Sequence, residues 1–115
     1  MTVTIYHNPR CSKSRQTLAL IRDRGIEPEI IEYLKQPPDA EQLKRTIAML
    51  GITVHELVRG NEPEYSEENL DEASSEQRLI EAMVKHPRLI QRPIVVVGDQ
   101  ARIGRPPENV EAILP

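Results

Sequence analysis

With 115 residues, 38% of them hydrophobic, three Tyr and no Phe or Trp, the chain has material for one lean core of Leu, Ile and Val. Its net charge of −3 argues against nucleic acid as a default partner, because phosphate binding needs a basic face. A lone cysteine rules out an internal disulfide, and neither a signal-like segment nor a membrane-length apolar run is legible, so a single cytoplasmic domain over 1–115, monomeric by default, is expected.

Val3–Tyr6 alternates and carries β-branched residues, which predicts a short strand, and His7–Arg10 breaks it with an Asn-Pro turn signal. A helix follows from Ser12 to about Arg24, with Leu18 and Ile21 on one side and Gly25 as its stop. Glu29–Tyr33 reads as a second strand, so the opening is a βαβ unit with a parallel pair and a crossover. After Pro37 and Pro38 the character turns helical. Asp39 can cap a helix with Leu43, Ile47 and Leu50 on one face and Gly51 at its end. His55–Val58 offers a single helical turn, and Gly60–Glu68 reads as polar and irregular.

Ser75–His86 is the next helix, with Leu79, Ile80, Met83 and Val84 as its apolar stripe. Ile94–Val97 is the clearest strand, Gly98–Gln100 a turn, and Ala101–Ile103 a short antiparallel return. A final helix opens over Gly104–Glu108 and carries Val110, Ile113 and Leu114. The layout is βαβ plus ββα, an α/β fold with a helical insertion at about 36–88.

Cys11 follows a strand and a proline turn and sits where a helix starts. Unpaired amides and the helix dipole stabilise a thiolate there, lowering its pKa by one to several units from about 8.5. Arg10, Lys13 and Arg15 act in the same direction, Ser12 and Ser14 offer hydroxyl donors to the sulfur, and His7 either orients the thiol or fixes the loop. The polar surroundings favour a reactive thiolate over a buried filler. Ser14 stands where dithiol oxidoreductases carry a resolving cysteine, so an oxidised Cys11 needs an external thiol, glutathione or a glutaredoxin. Arg59, Arg92 and Arg105 stand out by their Gly and Pro contexts and suit a tetrahedral oxyanion, although spacing alone does not select them from the other arginines. His7, His55 and His86 show no ligand spacing, so no metal is expected.

Tyr6–Arg15, Arg92–Val96 and Ile103–Glu108 together resemble the glutaredoxin-linked arsenate reductase family, over nearly the whole chain. The resemblance implies a thioredoxin-like fold, Pro93 as its cis proline, Arg92 beside the thiol, and no bound cofactor. It also implies that Cys11 attacks arsenate, that glutathione as co-substrate displaces the adduct, and that glutaredoxin resolves the mixed disulfide. Arg59, Arg92 and Arg105 would hold the oxyanion, and His7 would be linked to the acidity of the thiol. Ser12 and Lys13 replace the Gly-Thr pair of resistance-plasmid members, and Gly60–Glu62 runs differently through the region of Arg59, which points to a chromosomal subgroup. Two other readings stand beside this one: a redox-responsive regulator of the same fold that binds a protein partner, and a monothiol disulfide reductase. The missing second cysteine weighs against the first, the arginines against the second.

Overall fold

A computed structural model describes residues 2–115. The chain forms two compact units, one from 1–36 with 92–115 and one from 37–91.

In the first unit, β1 (Val3–His7), β2 (Glu29–Glu32), β3 (Ile94–Val97) and β4 (Gln100–Ile103) form one sheet in the order β2-β1-β3-β4. β1 pairs with β2 in parallel and with β3 antiparallel; β3 and β4 form a hairpin. Helix α1 (Ser12–Asp23) is the crossover between β1 and β2. Alternate residues of a strand share a face, so Val3, Ile5 and His7 point to one side, and all three are buried. Val3 and Ile5 join Val95 and Val97 of β3, Leu18 and Ile21 of α1, and Val110 and Ile113 in one core. Each such side chain contributes about 1.5–3 kcal/mol on full burial. Gly25, at φ +78°, follows the end of α1 in a conformation that glycine adopts without penalty.

The second unit is helical: α2 (Ala40–Leu50), α3 (Val54–Leu57), α4 (Pro63–Glu67), α5 (Glu76–Lys85) and a 3-10 turn, Pro87–Leu89. Leu43 and Ile47 of α2, Val54 and Leu57 of α3, and Leu79, Ile80 and Met83 of α5 are buried, with α2 and α3 both packed on α5. Asp39 caps α2 in a reciprocal box: its side chain accepts from the Gln42 amide while Gln42 Oε1 accepts from the Asp39 amide. Val58 bridges to Ile90, flanked by the Arg59 N–H to Leu89 O and Gln91 N–H to Leu57 O hydrogen bonds.

Four expectations change. Residues 63–67 of the stretch read as irregular form α4, started by Pro63 at its first position and braced by the Glu64–Arg88 ion pair; it buries none of its own side chains, so no apolar stripe announced it. The last helix is a 3-10 helix, Pro107–Ile113, in which Asn109 N–H returns to Pro106 O three residues back. Thr46, not Leu50, completes the buried face of α2, its hydroxyl satisfied by the Gln42 carbonyl. The second strand ends at Glu32 and lies at the sheet edge, which leaves Ile30 exposed. No helix among the described residues is long and apolar enough to cross a membrane.

Removing the cap with Asp39→Ala should cost about 1 kcal/mol of stability. Urea denaturation checks this, and an unchanged midpoint would contradict the box.

Candidate active site

Strand register brings the site together. Val3 pairs with Val97 and Ile5 with Val95, so the same register carried one step further faces His7 with Pro93. Ile94 pairs with Ile103, and the Gly104 N–H to Pro93 O hydrogen bond (2.9 Å) extends the hairpin by one more rung. His7, Pro93 and Gly104 thus lie in a row at one end of the sheet. The next residue outward along each chain segment leads to the Cys11 turn, to Arg92 and to Arg105.

The turn that presents Cys11 is held by Asn8. Its carbonyl accepts from Cys11 N–H (3.0 Å), and its side-chain Oδ1 accepts from Arg10 N–H (3.0 Å). Its own N–H donates to Ser14 Oγ (3.0 Å). Cys11, half-buried and in extended backbone, is the N-cap residue of α1. Arg105 brackets it: Nε donates to the Arg92 carbonyl at 2.7 Å and Nη2 to Cys11 Sγ at 3.5 Å. The Arg92–Pro93 bond is cis, as the resemblance implied, and Arg105–Pro106 is cis as well.

Burial pushes the Cys11 thiol up, but the Ser14 amide, the Arg92 side chain, the Lys13 amide and the Arg105 charge together hold it below its ordinary value. Neither amide makes a full cap hydrogen bond to the sulfur; both lie in the first turn, where the helix dipole acts on an anion. The net effect is a thiolate populated at lower pH than in free cysteine.

The Ser14 hydroxyl does not serve the sulfur, contrary to expectation. It is fully buried and sits 2.6 Å from His7 Nδ1, while its oxygen accepts from Asn8 N–H. With the Asn8 amide donating to it, the oxygen keeps one lone pair and its proton, and the imidazole tautomer sets which of these meets His7 Nδ1. Burial lowers the His7 pKa, Glu32 opposes this, and Arg22 and Arg15 reinforce it. His7 and Ser14 therefore fix the loop beneath Cys11. Ser12 is exposed on the helix surface.

The first unit thus assembles Cys11, His7, Ser14, Arg92 and Arg105. Arg59 belongs to the second unit, where Nε meets Glu62 Oε1 at 3.3 Å and Nη1 meets Gln91 Oε1 at 3.5 Å. Sequence reasoning missed Asn8 as an organiser, although an Asn two residues before a backbone N–H that needs a partner is an Asx-turn signal. It also missed Thr17 and Gly104, whose contact depends on tertiary structure.

Residues 6–113 match the model of the ArsC family. The chain belongs to the ArsC family. Among its relatives, an Escherichia coli K12 protein named as uncharacterized YfgD is 53% identical over 97% of this chain and 96% of that one. A Rhizobium meliloti protein named arsenate reductase is 49% identical over 100% of this chain and 83% of its own. A solved structure titled arsenate reductase from Vibrio cholerae superposes with a TM-score of 0.95 at 52% identity, covering 99% and 98% of the two chains. The ArsC fold is thioredoxin-like, and the four-stranded α/β sheet described above is this chain's version of it.

Alkylation of Cys11 should follow a pH profile with its midpoint below that of free cysteine. The lowered pKa means that the rate at neutral pH exceeds the model thiol's and falls only as pH drops through the shifted midpoint. Iodoacetamide kinetics check this; a midpoint at or above about 8.5 would remove the electrostatic account.

Proposed function

We propose that this ArsC-family chain is an arsenate reductase that uses Cys11 as nucleophile, glutathione as co-substrate and a glutaredoxin as final reductant. The observation that carries this reading is the Cys11 sulfur, at a helix start, 3.5 Å from Arg105 Nη2, with the Arg92 side chain also holding its pKa down. The same guanidinium groups that stabilise the thiolate can receive a tetrahedral oxyanion bound to it.

The Cys11 thiolate attacks arsenic(V) and forms an S–As bond as one arsenate hydroxyl, protonated from solvent, leaves as water. Glutathione thiolate then attacks the Cys11 sulfur; the S–As electron pair departs with arsenic as As(III), and the two sulfurs are joined as a mixed disulfide. Two electrons have moved from two thiols to one arsenic. The thiol of glutaredoxin takes up the glutathione by exchange and frees Cys11. With one cysteine in the chain, no internal thiol can replace this step. The cycle needs a reducing compartment, so the cytosol is its setting in this reading.

Arg92 and Arg105 hold the oxyanion and the negative charge that builds on its oxygens, and His7 with Ser14 keeps the loop rigid while the sulfur changes partners. The family resemblance adds Arg59 as a further oxyanion ligand, and that assignment rests on the resemblance alone.

A coupled assay with arsenate, glutathione and glutaredoxin tests the proposal. Turnover should be lost in Cys11→Ser, and Arg92→Ala should lower kcat/KM by roughly 10- to 100-fold, the scale of one charged hydrogen bond. Phosphate should inhibit competitively. Parent protein that turns over no faster than Cys11→Ser would sink the assignment.

A further inference from the structure

Gly104 is crowded in a way that Gly25 and Gly51 are not. A methyl group added to it would lie 2.5 Å from Thr17 Oγ1, 3.1 Å from Thr17 Cγ2 and 2.9 Å from Pro93 Cγ, whereas the other two have open space. The Gly104 backbone does not have positive φ, so the demand is for space, not for a glycine-only conformation. Thr17 offers no room. It is fully buried on α1, and its hydroxyl donates to the Lys13 carbonyl at 2.8 Å, within the helical turn that carries Cys11 at its cap. On the other side, Gly104 N–H is bonded to Pro93 O. The strand end is therefore closely packed between α1 and the segment that follows Arg92.

Arg105 is the next residue, and its guanidinium is fixed at two points, the Arg92 carbonyl and the Cys11 sulfur. We propose that the contact of Thr17 with Gly104 sets the distance between Arg105 and Cys11, making Thr17 and Gly104 positioning residues for the thiol. In Gly104→Ala, relieving the 2.5 Å approach of the new methyl to Thr17 Oγ1 to ordinary van der Waals distance moves the strand end by about 1 Å. The Nη2–Sγ contact, 3.5 Å and ordinary for a sulfur acceptor, then lengthens beyond hydrogen-bond range. The inference rests on Cys11 acting as a thiolate, not on which oxyanion it meets.

The test is the pH profile of Cys11 alkylation by iodoacetamide, which needs no arsenate. Gly104→Ala should raise the midpoint by about half a unit or more. Arg105→Ala should shift it in the same direction, and the double variant Gly104→Ala/Arg105→Ala should go no further than Arg105→Ala alone. Thr17→Ala/Gly104→Ala, which removes the Thr17 hydroxyl and methyl that the added methyl would strike, should return toward the parent, since the Pro93 ring can repucker. Should Gly104→Ala alone fail to fold, that Thr17 double variant carries the test: a near-parental midpoint supports the proposal and a raised one overturns it. A parental midpoint in folded Gly104→Ala, beside a raised one in Arg105→Ala, overturns the positioning role and leaves the thiolate reading intact. An unmoved midpoint in Arg105→Ala overturns both the role of Arg105 and the proposal built on it.

Discussion

The register of three strands is the constraint from which the site follows. β1 runs toward the site end of the sheet, β3 runs away from it, and β4 returns, so one end gathers a strand's exit, a strand's entrance and a second exit. Cys11, Arg92 and Arg105 lie far apart in sequence, yet each lies within a few residues of that edge. A one-residue slip of β3 against β1 would turn Val95 and Val97 to the other face and take the segment carrying Arg92 with them. The buried valines and isoleucines on the α1 face make such a slip costly, so core packing also fixes the geometry of the reactive centre.

Electrostatics at the thiol set burial against its polar neighbours. Half-burial favours the neutral thiol, and two first-turn amides and two arginines reverse the preference. The surrounding polar groups are committed to holding that arrangement. Asn8 spends its carbonyl, amide and side chain on the turn, and His7 and Ser14 satisfy one another in the interior. An acidic chain can still offer an anion site, because Arg10, Lys13, Arg15, Arg92 and Arg105 belong to the unit that holds the thiol.

Much of this was legible in the residues. The helix boundaries at Asp39, Gly51 and Ser75 follow from caps whose side chains and backbone angles are local matters, and they appear where the pattern put them. Ile94–Val97 was legible because a run buried on both faces is apolar throughout. Helix α4 was not, since it buries no apolar stripe and its ion pair joins Glu64 to Arg88, distant in sequence. The Ser14 hydroxyl was assigned to the wrong partner for a related reason. Its nearness to Cys11 in sequence was visible, while the strand pleat that turns His7 inward toward it was not.

The sequence by itself determined the local chemistry: a single cysteine at a helix start, a serine in place of a resolving thiol, and prolines and glycines that punctuate a βαβ and a ββα half. These depend on neighbours within a few residues, which the order of the chain contains directly. Only the tertiary structure decided which arginines reach the sulfur. It also decided that Ser14 serves His7, and that Gly104 must be small because Thr17 and Pro93 press against it. Those outcomes depend on strand register and on close packing between segments some ninety residues apart, and no local pattern encodes a distance of that kind.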